Sequence, residues 1–171
     1  MASNVEIKVK IKDILELRKK IESFYSIDPI QLFQEDTFFN ICEGRLKLRI
    51  YSTSSGELIY YKRQNSKRPK RSDYFIYKTN EPEKLRHVLE YSLGIRGVIK
   101  KKRLLYLIDN KRIHLDEVEQ LGAFLELEVV LKSEQDENEG KQIVNDFMKI
   151  ININEKDLID KAYIDLLEEC D

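Results

Sequence analysis

The chain has 171 residues, of which 42% are hydrophobic and 36% are charged, a length and composition that fit one domain, 1–171. No run of 18 apolar residues occurs and the first residues lack the apolar core of a signal peptide, so the sequence predicts neither a membrane-spanning helix nor export. Cys42 and Cys170 have no ligand-spaced partners, which excludes a zinc finger or a disulfide framework. We expect a cytoplasmic protein.

The net charge of −1 conceals a strong asymmetry along the chain. Residues 1–112 hold 25 Lys or Arg and 14 Asp or Glu, whereas residues 113–171 hold 5 and 17. This distribution indicates a phosphate partner for the first part, and a cation or mutual pairing for the second.

Eight strands are predicted in chain order. Strict alternation of apolar and polar residues marks four of them, at 5–12, 45–50, 112–117 and 124–129. Less regular candidates are 34–41, 57–63, 73–79 and 98–108. Most of the connections are short, which favours antiparallel pairing.

Four helices are predicted between and after the strands. Asp13 followed by Glu16 resembles a capping box that opens a helix at 14–25. Pro82 and Gly94 bracket a second helix at 82–93. The last two predicted helices are 138–151 and 154–169, the second on the helical spacing of its apolar residues.

The polar faces of the strands are almost purely ionic, and their signs are segregated. Arg45, Lys47 and Arg49 form one ladder of cations, and Glu126 and Glu128 form a ladder of carboxylates. Like charges on one strand face repel each other unless water or a counter-charge separates them. The faces therefore either point to solvent around a barrel or sandwich core, or point inward into a charged tunnel whose outer face the helices cover.

An inward arrangement would suit phosphoryl chemistry. Arg and Lys bind chains of phosphates, while paired carboxylates bind a hard divalent cation such as Mg²⁺ or Mn²⁺. Together they would hold, neutralise and orient a phosphate for attack. The glycine-rich phosphate loop of P-loop NTPases is absent, so that class is excluded.

Several motifs, in this order, resemble those of the CYTH domain family, also called triphosphate tunnel metalloenzymes. The first strand, Glu6-Ile-Lys8-Val-Lys10, resembles the family's ExExK motif, and the C-terminal stretch from Ala162 to Leu167 resembles its SYxDLL helix. Further matches lie at 36–39, 44–49, 58–63 and 112–128. The resemblance covers 1–171 as a single domain and implies an α+β fold, an eight-stranded antiparallel β tunnel with helices packed outside.

The resemblance also implies the site residues. Its phosphate-binding cations correspond to Lys8, Lys10, Arg45, Lys47, Arg49, Arg63, Lys101 and Arg103. Its metal ligands correspond to Glu6, Glu126 and Glu128, with Asp116 as a further ligand or base. We predict Asp116 and Tyr163 as catalytic residues, although a core role for Tyr163 is an equal alternative. His114 is predicted to be structural, with a role as base or metal neighbour as its alternative.

One departure from the family pattern is Lys8, which replaces the second glutamate of ExExK. A lysine cannot bind a cation, so we expect one metal site to be weakened or lost. The sequence thus predicts an Mg²⁺- or Mn²⁺-dependent hydrolase of inorganic triphosphate, thiamine triphosphate or nucleoside triphosphates. The alternatives are a class IV adenylyl cyclase that makes cyclic AMP from ATP, and a non-catalytic polyphosphate- or nucleotide-binding module. We expect no membrane or nucleic-acid partner and leave a homodimer open.

Overall fold

The computed structural model describes residues 2–63 and 66–170. Its strands are β1 (Ala2–Lys10), β2 (Ile30–Phe39), β3 (Arg45–Ser52), β4 (Ser55–Arg63), β5 (Lys70–Thr79), β6 (Ile95–Ile108), β7 (Lys111–Val118) and β8 (Gly122–Val130). Its α-helices are α1 (Ile14–Tyr25), α2 (Pro82–Leu93), α3 (Glu137–Ile151) and α4 (Tyr163–Leu167). No helix in the described part of the chain combines the length and apolar character needed to cross a bilayer.

The strands form a closed barrel in the order β1-β5-β4-β3-β2-β6-β7-β8, and every neighbouring pair is antiparallel. This arrangement confirms the predicted α+β tunnel. It places β2 between β3 and β6, and β1 between β5 and β8. Strands with cation ladders therefore lie next to strands with carboxylates, which the linear sequence does not show.

The environment of the β1 side chains shows which face of the strand points into the barrel. Val5, Ile7 and Val9 are buried in a core on the outside of the barrel, while Glu6 and Lys8 line the interior. Other members of that outer core come from β6, β7, β8, α1 and α3. The helices thus cover part of the apolar outer face, and the charged face lines the tunnel.

The first three helices follow their predicted signals closely. Asp13 caps α1 by accepting hydrogen bonds from the backbone nitrogens of Leu15 and Glu16, at 2.9 and 3.0 Å. α2 begins at Pro82 and ends before Gly94, whose φ of 74° favours glycine. α3 begins one residue earlier than predicted, at Glu137.

The predicted helix at 154–169 is wrong. The segment instead forms a short 3₁₀ helix at Glu155–Asp157, an extended stretch and then α4. Leu158 pairs with Val9 in a β-bridge and is buried in the outer core, so the chain is extended there. The apolar residues that suggested one helix belong to two separate cores.

The second core closes one end of the barrel beneath α4. Ile164 packs there with apolar side chains from β2, β6 and β8, namely Phe38, Ile99 and Phe124. The approach is close, because a Cβ atom on Gly97 would lie 2.5 Å from Ile164 Cδ1. Glycine at that position lets α4 seat against β6 and brings Tyr163 to the end of the tunnel.

Candidate active site

The barrel encloses a cavity of about 720 Å³. At the end where α4 packs, Ala162 and Tyr163 line it. At the other end the lining side chains Tyr51, Ile76 and Leu107 are 36%, 44% and 50% exposed. The cavity therefore opens to solvent at the end opposite α4, where these three side chains lie together with the charged lining residues Glu57 and Lys78.

The structure brings most of the sequence-predicted site residues together. Ten of them line this cavity: Glu6, Lys8, Lys47, Arg49, Arg63, Lys101, Arg103, Glu126, Glu128 and Tyr163. The three other predicted site residues, Lys10, Arg45 and Asp116, are not part of its lining.

Asp36 on β2 is the centre of a group of three cations. Its carboxylate accepts hydrogen bonds from Lys47 Nζ at 2.9 Å and Lys101 Nζ at 3.1 Å. Arg49 binds it through two nitrogens, at 2.7 and 2.8 Å. Burial would raise the pKa of Asp36, but Arg49, Lys101 and Lys47 hold it well below its usual range. One permanent negative charge therefore serves three cations.

Sequence reasoning assigned no function to Asp36, although the residue lies within a matched motif. A signal was available, since a three-cation ladder requires a counter-charge. The identity of that counter-charge depends on the strand order. Asp36 pairs in register with Arg49, and its neighbour Gln34 pairs with Lys101, because β2 lies between β3 and β6.

Arg103 on β6 connects two carboxylates. It donates to both oxygens of Asp116, each at 2.6 Å, and to Glu126 Oε2 at 2.8 Å. Asp116 is completely buried, and Oδ2 also accepts a hydrogen bond from the Tyr163 hydroxyl at 2.9 Å. With both oxygens bonded in this way, Asp116 is placed to orient Arg103 and Tyr163.

Tyr163 extends from α4 into the tunnel and contacts Lys8. The Lys8 ammonium lies 3.7 Å from the centre of the Tyr163 ring, which is a cation–π contact. Burial and the nearby Asp116 raise the pKa of Tyr163 well above its usual value. The hydroxyl thus remains protonated over the physiological range and serves as a donor rather than a base.

Glu126 and Glu128 on β8 face the tunnel beside β1 and β7. Lys8 Nζ lies 3.2 Å from Glu126 Oε1, and Arg112 Nη1 lies 3.6 Å from Glu128 Oε2. Burial would raise the pKa of Glu126, but Lys8, the neighbouring His114 side chain, Arg103 and Lys101 together lower it well below the usual range. One nitrogen of His114 and one oxygen from each glutamate lie within 4.8 Å of one another, which fits the donor set of a divalent metal.

Glu6 lies directly opposite Glu128 in the β1–β8 register, as a shared ligand set would require. Its carboxylate forms an ion pair with Arg63 on β4. The predicted ligand Glu6 and the predicted phosphate contact Arg63 are therefore bound to each other in this structure.

A family model described as the CYTH domain matches residues 2–163. The chain belongs to the CYTH domain family. A Methanocaldococcus jannaschii protein named “putative adenylate cyclase” is 34% identical over 176 residues, which cover 95% of this CYTH domain chain and 97% of that protein.

Solved structures share the fold of this CYTH domain. A Pyrococcus horikoshii protein has a TM-score of 0.84 and 26% identity, and the match covers 95% of this chain and 98% of that one. A Hippeastrum protein, described as a “putative adenylyl cyclase” with a dominant triphosphatase activity, has a TM-score of 0.67 and 14% identity, with 99% and 96% covered. At that identity the second likeness shows the fold alone. Family membership supports a triphosphate-binding tunnel enzyme.

Two predicted phosphate contacts of the CYTH pattern lie away from the cavity. Lys10 is exposed at the end of β1, with Nζ 5.7 Å from the centre of the Phe124 ring. Arg45 Nη2 binds Asp165 Oδ2 on α4 at 2.7 Å. Arg45 therefore faces α4 and not the tunnel, and Lys10 lies exposed at the end of β1.

Neutral polar residues complete the tunnel wall, and sequence reasoning did not find them. Asn4, Gln34 and Ser72 are buried and line the cavity. Asn4 Oδ1 and Gln34 Oε1 have no protein hydrogen-bond partner within the described ranges. Unpartnered buried oxygens of this kind are available to a ligand. Short neutral side chains carry no charge pattern that would mark them in a sequence.

Proposed function

We propose that this CYTH domain hydrolyses triphosphate compounds in a metal-dependent reaction. The observation that carries the proposal is the sharing of one cavity by the cations Lys47, Arg49 and Lys101 and the carboxylates Glu126 and Glu128. Cations that are this deeply buried are costly unless anions compensate them. Asp36 supplies one negative charge, whereas Arg49, Lys47 and, once protonated, Lys101 carry up to three positive charges, so a polyanion in the tunnel would supply the missing negative charge.

The fixed geometry of the cations defines how a chain of phosphates would be held. Arg49 and Arg103 are locked by bidentate pairs with Asp36 and Asp116, so their remaining donors point in defined directions. Preorganised donors of this kind bind charge that develops in a transition state without reorganising. They would therefore both hold and activate the phosphates.

Glu126 and Glu128 are the carboxylates that would hold Mg²⁺ or Mn²⁺. Glu6 lies opposite Glu128 in register but is ion-paired with Arg63. When bound, such an ion neutralises phosphate charge and polarises a phosphoryl oxygen. Lys8 places an amino group beside Glu126, where the family pattern has a carboxylate. Burial lowers the pKa of Lys8, and Glu126 acts in the opposite direction.

The reaction is an in-line displacement at the terminal phosphorus. The oxygen of a water molecule bonds to that phosphorus while the bond to the bridging oxygen breaks. The bridging oxygen leaves with the remaining diphosphate, and a proton of the water passes to solvent. The protein supplies positioning and charge, because Asp116 is already bonded to Arg103 and Tyr163.

Adenylate cyclisation is the second candidate, and the name of the 34% identical relative favours it. The same tunnel would serve, with the ribose 3′ oxygen in place of water as the nucleophile. The apolar and aromatic side chains at the open end, Tyr51, Ile76 and Leu107, would lie beside an organic group attached to the phosphates.

A substrate panel tests both candidates. Inorganic triphosphate, thiamine triphosphate and ATP are incubated with Mg²⁺ or Mn²⁺, free phosphate is measured, and cyclic AMP is separated from ADP by chromatography. Phosphate release supports the hydrolase, whereas cyclic AMP and diphosphate support the cyclase. Tight triphosphate binding without turnover on every compound would contradict both and leave a binding module.

Variants of the tunnel carboxylates test whether metal-dependent turnover takes place in the tunnel. Glu126→Ala and Glu128→Ala should each lower metal-dependent turnover on the order of 100-fold or more, because each removes a charge that faces the tunnel. Glu117→Gln is the matched control, since Glu117 is exposed on the neighbouring strand β7 and does not line the tunnel. Full activity in both alanine variants would contradict the proposal.

A further inference from the structure

His114 has an unusual environment for a histidine expected to be structural. It lies on β7, is 4% exposed and pairs in register with Glu126 on β8. Its Nδ1 has no protein hydrogen-bond partner among the described residues. The groups it faces are carboxylates: Nδ1 lies 3.6 Å from Glu126 Oε2 and 4.0 Å from Glu128 Oε1. A buried polar atom without a partner requires an explanation, such as a bound ion.

The distances in this group suit a metal better than a direct hydrogen bond. At 3.6 and 4.0 Å the two contacts exceed hydrogen-bond length. Ligands that surround one ion at about 2.1 Å lie roughly 3 to 4 Å apart. The three donors lie within 4.8 Å of one another. To bind an ion, Glu126 would exchange a contact of one oxygen with Lys8 or Arg103 for the metal. A neutral imidazole and two carboxylates are a common donor set for divalent first-row ions.

The first strand explains why a ligand from β7 would be needed. One carboxylate position of the ExExK pattern is Lys8, which pairs with Glu126 at 3.2 Å. The remaining carboxylate, Glu6, is paired with Arg63. Strand β1 therefore has fewer carboxylates that can bind a metal ion than the family pattern has. Strand β7 presents a buried nitrogen on the other side of Glu126 and Glu128.

We propose that His114 Nδ1, together with Glu126 and Glu128, binds one divalent cation, and that the nitrogen ligand gives Mn²⁺ or Co²⁺ an advantage over Mg²⁺. Imidazole suits transition ions, whereas Mg²⁺ prefers oxygen ligands. The catalytic role of the ion rests on the proposed function. Binding of the ion to these three residues is tested without any substrate.

The chain offers a direct spectroscopic test, because it contains two histidines. His87 is exposed on α2, and His114 is buried in the tunnel wall. In imidazole ¹H–¹⁵N NMR spectra, substoichiometric Mn²⁺ alone should broaden the His114 signals and leave those of His87 sharp. Saturable Mn²⁺ binding that leaves the His114 signals sharp would overturn the proposal.

Variants separate His114 from the ligand that the resemblance implies. We expect His114→Gln to weaken Mn²⁺ binding, followed by EPR of the free ion, about tenfold or more, and Glu6→Gln to change it about twofold or less. His87→Gln is the matched control and should bind as the native protein does. The reverse ranking, with Glu6→Gln severe and His114→Gln near native, would show that Glu6 is the ligand and His114 is not.

A replacement by another ligand type guards against a simple folding defect. His114→Asp supplies oxygen in place of nitrogen, so it should still bind a divalent ion while the preference shifts toward Mg²⁺. Melting temperatures without metal show whether each variant is folded. If folded His114→Asp keeps the native ratio of Mn²⁺ to Mg²⁺ affinity, the nitrogen ligand is refuted. If the native protein turned over no triphosphate but Mn²⁺ still broadened its His114 NMR signals, only the proposed function would be refuted.

Discussion

The two sides of the tunnel differ in the charge of the side chains that line them. On the side of β2, β3 and β6, one carboxylate, Asp36, is surrounded by three cations. On the side of β1, β7 and β8, carboxylates face the interior beside Lys8, Arg112 and a histidine nitrogen that has no hydrogen bond to the described part of the protein. The first side has surplus positive charge and fits an anion, while the second brings carboxylate oxygens and a histidine nitrogen close together and fits a metal.

Arg103 joins the two sides, so its removal should have the largest effect. Arg103→Ala would leave the buried carboxylates of Asp116 and Glu126 without their shared guanidinium partner. Breaking a buried ion pair costs about 3 to 5 kcal/mol, which urea unfolding of the variant should show. Triphosphate turnover should fall on the order of 1,000-fold, because a preorganised donor is lost.

A conservative variant of the same residue distinguishes geometry from charge. Arg103→Lys keeps the positive charge but cannot bridge Asp116 and Glu126 with a planar fork. We expect it to recover part of the stability and little of the turnover. Native turnover in the lysine variant would show that the connection between the two sides needs only charge.

Asp36 tests the cation-rich side by itself. Asp36→Asn removes the negative charge shared by Lys47, Arg49 and Lys101, so the ligand-free protein should lose about 2 to 4 kcal/mol of unfolding free energy. Inorganic triphosphate should then raise the melting temperature more in the variant than in the native protein, since it supplies the missing charge. Glu117→Gln serves as the exposed control.

If inorganic triphosphate stabilised native protein and Asp36→Asn equally, the three cations would not form the anion site. Mn²⁺ binding gives a second comparison, because the metal side should respond little to this change. A large loss of Mn²⁺ affinity in Asp36→Asn would contradict the division of the tunnel into two sides.

The faces of the strands could be predicted from sequence because alternation alone assigns them. The two-residue spacing of Arg45, Lys47 and Arg49 is sufficient to place these cations on one face of β3. Arg45 nevertheless belongs to the end of the barrel and binds Asp165, because a strand face extends beyond the cavity that it lines. Periodicity assigns a face, and the position of α4 decides which part of the face is accessible.

Partners across strands could not be predicted in the same way. Asp36 meets Lys101, and His114 meets Glu126, only through the register of neighbouring strands in the closed barrel. The predicted helix at 154–169 failed for a related reason, since the bridge between Leu158 and Val9 outweighs the local helical pattern. Tertiary pairing decides these features, and a local pattern does not contain it.

The pH dependence of anion binding should have a smaller effect than the substitutions. Burial lowers the pKa of Lys101 to about 7, although Asp36 acts in the opposite direction. Below that pH the side chain is a cation, and above it the side chain must take up a proton to pair with phosphate. The titratable and charged groups that interact with it lie on β2, β3, β6, β7, β8 and α4: Asp36, Lys47, Arg49, Arg103, Asp116, Glu126 and Tyr163.

Metal-free binding of inorganic triphosphate should therefore weaken about tenfold between about pH 7 and about pH 8.5, as titration calorimetry would show. Lys101→Met should bind more weakly than the native protein at about pH 6.5 and follow a flatter profile. The two proteins should converge at high pH, where native Lys101 is neutral. Parallel profiles would show that another group is responsible for the pH dependence.

Substitutions at the open end of the tunnel should have the smallest effect on activity, and they should distinguish substrates with an organic group from inorganic triphosphate. Leu107 and Ile76 line the cavity there while remaining about half exposed, so they can contact only the part of a substrate that extends beyond the phosphates. Replacing either by alanine removes about 1 kcal/mol or less of apolar contact, which corresponds to a few-fold rise in KM. The rise should occur for ATP or thiamine triphosphate and not for inorganic triphosphate, which lacks an organic group. If Leu107→Ala and Ile76→Ala changed KM equally for all three compounds, these side chains would act on the phosphates, and their assignment to the organic part of a substrate would be wrong.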